Sequence, residues 1–315
     1  MTQTEGAFYC VADERYFLGA VAMINSLRVV GHGEPVYVLD CGLTGEQREL
    51  LEREAAVVAG PRDELPYMLK TIAPLRHPAE VIVLIDADIV LTRPLGELIA
   101  RAAEPRVVAI ENDMDRFVAE WGELLGLGPV RRQPYVSSGL VVAGQPLAGE
   151  VLRMMDELQD RVDFDNTFWR ANVSDYAFLY GDQDVFNAIL AASFERDALV
   201  ALPNDLAPNP PFTGLRVVDA ARLLVAHRDG RETLAIHHYT VKPWLEPTHH
   251  GVYSQLLRRL LIGEDVAVKV ARADIPRRFR SGLGAWLARK RTDLPETFRW
   301  HVGEPLAERI KGLRR

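Results

Sequence analysis

The chain has 315 residues, room for two ordinary domains or one large α/β domain. Hydrophobic residues make up 48% and charged residues 26%, the balance of a folded globular protein and not of a disordered chain. With 37 Lys or Arg against 44 Asp or Glu the formal net charge is −7, which argues against a nucleic-acid binder working through a basic face.

In the amino-terminal half, short apolar runs alternate with helical periodicity, which predicts a βαβα sheet covered by helices. Ala7 to Ala12 reads as a buried first strand, and Phe17, Val21, Ile24 and Leu27 recur at helical spacing behind it. Pro35 to Asp40 is the second predicted strand. Thr44 and Gln47 then stand at capping-box spacing before a helix carrying Leu50 and Leu51. Ala56 to Gly60 is the third predicted strand, followed by a helix around Leu65 to Leu75.

Val81 to Leu91 is the strongest strand signal, an apolar run interrupted by Asp86 and suited to a central strand buried on both faces. Further strands are predicted at Arg106 to Ile110, Gly139 to Ala143 and Thr233 to Tyr239. Helices are predicted at Pro146 to Leu158, Asp184 to Ala192 and Tyr253 to Ile262. The prolines of Pro203 to Phe212 predict a loop.

Two cysteines, Cys10 and Cys41, build neither a disulfide framework nor a thiolate metal cluster. The opening MTQTEGAF has no basic and apolar leader pattern, and no apolar run approaches the roughly 20 residues that span a bilayer. The default expectation is a cytoplasmic protein.

Four constellations could carry chemistry. Asp86-Ala87-Asp88 stands where a central strand ends, the edge at which open α/β sheets bind ligands. Its carboxylates, at i and i+2, could converge on one hard cation; the alternative is a turn with Asp86 as its cap. His237, His238 and Lys242 follow in IHHYTVKPW. Imidazole beside carboxylates makes a mixed donor site suited to Mn²⁺, and the lysine suits a phosphate. The alternative is a pair of partly buried histidines. Asp182, Gln183 and Asp184 crowd a helix start, where they could grip sugar hydroxyls or simply cap. Asp13, Glu14 and Tyr16 follow the first strand, a nucleoside pocket or a helix start.

In order, these pieces resemble the retaining glycosyltransferases of family 8, the glycogenin and lipopolysaccharide galactosyltransferase group, over about Phe8 to Trp244. VADERY is similar to that family's uracil-binding segment, which implies nucleotide contacts from Ala12, Asp13 and Tyr16. Asp86, Ala87 and Asp88 resemble its metal- and diphosphate-binding Asp-x-Asp. Tyr135-Val136-Ser137-Ser138-Gly139 resembles an aromatic–asparagine–alanine–glycine segment, Asp182-Gln183-Asp184-Val185-Phe186-Asn187 matches DQDxxN, and Lys242-Pro243-Trp244 ends a segment similar to HxxGxxKPW.

The resemblance implies a GT-A fold, α/β with a Rossmann-like mixed sheet flanked by helices, and transfer of a hexose from UDP-glucose or UDP-galactose to an acceptor. It implies Asp182 and Gln183 as catalytic groups, and Lys70, Ser137, Ser138, Asp182 and Gln183 around the donor sugar. Asp86, Asp88 and His238 would hold Mn²⁺, or alternatively Mg²⁺, and Lys242 would meet the diphosphate. Two features depart from the family pattern. Lys242 follows the histidines at a shorter spacing with the glycine missing, where His238 is the expected ligand over His237. Ser137 also stands where the family often has asparagine.

Two rivals remain. A haloacid-dehalogenase-like phosphatase would use Asp86 as nucleophile and Asp88 as acid and base. A non-catalytic nucleotide-sugar binder could share the scaffold.

The expected organisation is a GT-A domain over residues 1–268, nucleotide-binding to about 110 and acceptor-side from 111. Acceptor contacts are expected in the loops Asn112 to Pro134 and Pro203 to Phe212. Residues 269–315 carry 13 Lys or Arg against 5 Asp or Glu, so +8 in this tail faces −15 elsewhere. Within it, Arg277 to Arg291 mixes Phe279, Leu283, Trp286 and Leu287 with six basic residues. That pattern fits peripheral contact with an anionic inner membrane face, or equally a helix docked on the domain with a solvated basic face.

Overall fold

The computed structural model describes residues 6–61, 66–238, 242–245, 251–287 and 303. In chain order the strands are β1 (Gly6–Ala12), β2 (Val36–Asp40), β3 (Ala56–Ala59), β4 (Val81–Ile85), β5 (Ile89–Leu91), β6 (Val107–Glu111), β7 (Val136–Gly144), β8 (Leu199–Leu202), β9 (Leu215–Asp219), β10 (Leu224–His227) and β11 (Ala235–His237). The helices are α1 (Phe17–Val29), α2 (Gly45–Leu51), α3 (Ile72–Arg76), α4 (Gly96–Ala102), α5 (Trp121–Leu124), α6 (Leu147–Leu158), α7 (Asp182–Ser193) and α8 (Gly251–Ile262). The chain divides into two compact units: Met1–Ala20, Gly33–Ala87 and Leu95–Leu206 form one, and Val21–His32, Asp88–Pro94 and Ala207–Arg315 the other.

The first unit is a seven-stranded sheet in the order β3-β2-β1-β4-β7-β6-β8. Six strands run one way and β7 runs against both its neighbours. All five residues of β4 are buried, as its uninterrupted apolar sequence requires of a strand covered on both faces. On one face α6 and α7 press Val151, Leu152, Met155, Val185, Phe186 and Ile189 against Ile82, Leu84, Val141 and Ala143. Gly144 ends β7 where no larger residue fits, since an added Cβ would lie 1.8 Å from the Ala102 carbonyl oxygen. The Thr44–Gln47 capping box is present in both directions at the start of α2.

The reversal of β7 sets up the site. Its register pairs Ile85 with Leu140 and Val81 with Gly144, so the residues opening β7 stand at the carboxyl end of β4. The Asp86 N–H continues the ladder to the Gly139 carbonyl at 2.8 Å.

The second unit holds two small antiparallel pairs, β9–β10 and β5–β11. Beside them lie the later turns of α1, buried on every side from Val21 to Leu27, and α8. Asn25 sits within that apolar stretch with its amide fully used. Its Nδ2 donates to the carbonyls of Leu260 (2.8 Å) and Val268 (2.9 Å), and its Oδ1 accepts from the Val268 N–H (2.7 Å). Val268, Ile275 and Phe279 are buried in this unit, whereas Leu283, Trp286 and Leu287 are exposed. The tail from residue 288 onward, Gly303 excepted, lies outside the described residues, and with it Arg289 to Arg291. No helix among the described residues is long and apolar enough to cross a membrane.

Several elements differ from expectation. The predicted strand Val81 to Leu91 is two strands in two sheets, because the chain turns at Asp86–Asp88 and Ile89–Leu91 pairs with β11. Aspartate is a poor strand residue, and two of them end the ladder. The predicted helix at Leu65 to Leu75 is a 3₁₀ turn, Pro66–Leu69, followed by α3; Leu65 itself lies outside the described residues. Strands β8, β9 and β10 were not expected. The strand predicted at Thr233 to Tyr239 spans Ala235–His237, with Tyr239 outside the described residues.

Candidate active site

At the carboxyl end of β4, within the first unit, one lysine stands between two carboxylates. Lys70 Nζ lies 2.9 Å from Asp86 Oδ1 and 3.0 Å from Asp182 Oδ2. Burial alone would depress the Lys70 pKa, but the Asp182 and Asp86 carboxylates more than offset it and hold the ammonium firmly charged. Two carboxylates around one ammonium leave a net negative charge in a partly buried recess. Such a recess attracts a cation or a developing positive charge. Ser138 completes the group, donating its hydroxyl to Asp182 Oδ2 at 2.9 Å.

Asp182 owes its place to the residue before it. Gly181 has φ +54° and ψ −119°, a conformation open to glycine, and α7 starts immediately after it. The residues of the DQDVFN run then point to different tasks. Gln183 uses one amide hydrogen on the Tyr135 hydroxyl (2.9 Å), and its Oε1 accepts the Ser138 N–H (3.3 Å).

Asp184 faces away into the protein. It accepts a bidentate pair from Arg116 (2.8 and 3.0 Å), the Tyr135 hydroxyl (2.7 Å) and the Tyr180 N–H (2.8 Å). Burial raises its pKa despite Arg116. Burial and the Asp184 charge likewise push the Tyr135 phenol well up. Asn187 pairs with both backbone groups of Val136, accepting from its N–H at 2.9 Å and donating to its carbonyl at 2.8 Å.

In the second unit, the β5–β11 pairing sets His237 opposite Ile89, beside Asp88. His237 Nε2 lies 3.3 Å from Asp88 Oδ1, and the Lys242 ammonium pairs with the other carboxylate oxygen and with the His238 carbonyl. Burial works against ionising Asp88, yet Lys242 and His237 together hold its pKa below the ordinary carboxylate range. The expected metal ligand His238 is corrected by this geometry. Consecutive side chains leave a strand on opposite sides, and His238 is turned into an aromatic core, its ring 4.9 Å from Tyr253 and 5.9 Å from Phe212. His237 is the imidazole beside the carboxylate. Within this unit the Asp88 carboxylate and the imidazole against it offer oxygen and nitrogen donors of the kind a divalent metal ion takes.

Elsewhere in the first unit, the VADERY segment bridges β1 and α1. Asp13 Oδ1 accepts the Tyr16 N–H at 2.9 Å, so this carboxylate caps the turn. Ala12 accepts the Cys41 N–H, and the Ser137 hydroxyl accepts the Gly139 N–H at 3.2 Å. Ala87 is buried within the Asp-Ala-Asp turn. The sequence reading missed Arg116, one of three arginines in a loop expected to contact the acceptor. No local pattern announces that it closes on Asp184, 68 positions away.

No protein-family model matches the chain, and no curated protein matches it. Solved structures do. An active-site variant of LgtC matches at 13% identity over 79% of this chain and 94% of that one, with a TM-score of 0.51. The galactosyltransferase LgtC with donor and acceptor sugar analogues matches at 14% over 76% and 89%, TM-score 0.49. The apo structure of the bifunctional glycosyltransferase WbbM matches at 15% over 84% of this chain and 50% of that one, TM-score 0.52. At these identities the likeness is one of fold: the chain has the mixed α/β architecture of GT-A glycosyltransferases.

Proposed function

We propose that this protein is a metal-dependent retaining glycosyltransferase that moves a hexose from a UDP-sugar, UDP-glucose or UDP-galactose, to an acceptor hydroxyl. The observation that carries the reading is the Lys70–Asp86–Asp182 cluster with Ser138, at the strand edge where sheets of this kind bind ligands. The fold supports it, being one that glycosyltransferases use. The phosphatase alternative has no comparable support.

In this reading Asp86, Asp88 and His237 hold a divalent cation, Mn²⁺ or Mg²⁺. When bound, the metal would supply Lewis-acid charge to the leaving diphosphate. The chain's own groups do the rest. Lys242 would lend positive charge to the diphosphate. Asp182, oriented by Lys70 and Ser138, would place negative charge against the anomeric carbon as it becomes cationic. Gln183 keeps one amide hydrogen and one lone pair for sugar hydroxyls, and Ser137 would meet the donor sugar as the family resemblance implies. Asp13 and Tyr16, with Ala12, would receive the uracil.

The test is UDP release from a panel of UDP-sugars with Mn²⁺ or Mg²⁺. Release with at least one donor, abolished by EDTA and by Asp88→Ala and restored by added metal in the parent protein, is expected. Full turnover in EDTA would remove the metal, and no UDP binding or release with any donor would remove the reading itself.

A further inference from the structure

The segment between α6 and α7 holds two aromatic rings out in water on a rigid frame. Phe168 is 41% and Trp169 47% exposed, while Thr167 beside them is fully buried. The frame is internally bonded. Ala171 N–H donates to the Asp165 carbonyl (2.9 Å), Asn172 N–H to Thr167 (2.9 Å), Val173 N–H to Asn166 (3.1 Å) and the Thr167 hydroxyl to Phe164 (2.8 Å). Asn172 takes φ +52° to close the turn, an uncommon conformation for a residue with a side chain.

This is a compact loop of the kind whose geometry is set by its own contacts, and such loops are frequently functional. Large apolar rings kept at the surface by an ordered backbone mark a binding site more than a packing failure. Trp in particular offers a broad rigid face at little entropy cost.

The rings are continuous with the candidate active site. Phe168 N–H donates to the Leu179 carbonyl at 2.7 Å, and the Phe168 ring lies 5.8 Å from Tyr180 and 5.1 Å, edge-on, from Trp169. Tyr180 is two residues before Asp182 and donates its N–H to Asp184. The surroundings are acidic: Asp163, Asp165 and Asp175 are exposed, against Arg170 as the basic residue between them. Negative charge repels an anionic lipid surface, whereas carboxylates accept hydrogen bonds from hydroxyls. A ligand with an apolar C–H face and a rim of hydroxyls satisfies both features, and a pyranose ring has that form.

We infer that Phe168 and Trp169 form an acceptor subsite, which makes the acceptor a saccharide whose sugar ring stacks on Trp169. The inference rests on the glycosyltransferase reading and deepens it by naming the acceptor class.

The experiment uses the full chain and titrates lactose, maltose and cellobiose while following indole N–H resonances, with Trp169 assigned by its loss in Trp169→Phe. At least one disaccharide should shift the Trp169 signal. Trp169→Ala should weaken that disaccharide about tenfold, in binding and in acceptor KM, while Trp169→Phe keeps most of the affinity. The donor KM should move far less than the acceptor KM. Equal affinity in parent and Trp169→Ala, or no disaccharide perturbing Trp169, overturns the subsite, and so does a Trp169 signal broadened only by anionic liposomes. UDP release from a UDP-sugar, measured alongside, separates the cases: if it persists the transferase reading stands without this subsite, and if it is absent with every donor both fall.

Discussion

Asp184 collects two guanidinium bonds, a phenol and a backbone N–H in a site closed to water, and still has a raised pKa because burial outweighs them. Removing a partner from such a buried pair leaves an uncompensated charge, at a cost of about 3 kcal/mol. Arg116→Met is therefore expected to lower thermal stability markedly, and the loss should depend on pH. Without the guanidinium the folded-state pKa of Asp184 climbs further above its unfolded value. The penalty for the ionised form then applies above that folded pKa and is relieved as pH falls toward the ordinary carboxylate range near 4. Melting curves of parent and variant between pH 7 and pH 5 should converge; a gap that widens on acidification contradicts this account. The DQDVFN run shows why the sequence says less about single residues than its motif suggests. Asp182 and Asp184 are two positions apart with the same chemistry, yet one faces the recess with Lys70 and the other the interior with Arg116.

At the scale of elements, α1 was legible as a helix from the spacing of Phe17, Val21, Ile24 and Leu27, and its burial follows from being apolar on every side. What the spacing hides is Asn25. Its amide meets the end of α8 and the backbone of Val268, groups more than 230 positions away whose own sequence carries no mark of it. Asn25→Leu would bury the Val268 N–H and two carbonyls without partners, a loss of about 3 kcal/mol expected in chemical denaturation. A variant as stable as the parent would mean that these groups find water instead. The turn at Asp86–Asp88 was half legible: the aspartates mark where a ladder stops, but nothing local says that the apolar run resumes in a different sheet. His237 and His238 show the same limit. Which of two adjacent imidazoles meets Asp88 depends on the one-residue phase of β11 against β5, fixed by tertiary pairing and invisible to periodicity.

At the scale of the whole molecule, charge is the feature that composition made plainest and the sheet does not use. Ile275 and Phe279 belong to the buried interior of the second unit, so the exposed apolar residues of the basic tail begin at Leu283. We propose that the segment from Gly282 onward meets anionic lipid through Leu283, Trp286 and Leu287 together with its arginines. Cosedimentation with vesicles rich in phosphatidylglycerol should be strong for the full chain, weak for a truncation after Ser281 that keeps Ile275 and Phe279 in place, and reduced by salt. Equal cosedimentation of both proteins would dismiss the idea. The architecture of the sheet was readable because alternating apolar runs are local; the long pairings that assemble Lys70, Asp86, Asp182 and Ser138 are not.

Asn187 carries a consequence for how such a centre can vary. Its amide copies the hydrogen-bonding face of a peptide group, so α7 meshes with the opening of β7 as a cog does with a rack. A slip of one residue on either part would break both bonds at once. The alignment of the Ser138 hydroxyl with the Asp182 carboxylate is thereby indexed by a side chain that needs no contact with any ligand. On the transferase reading, the neighbouring positions proposed to meet the sugar are free to diverge toward new specificities while the indexing stays fixed.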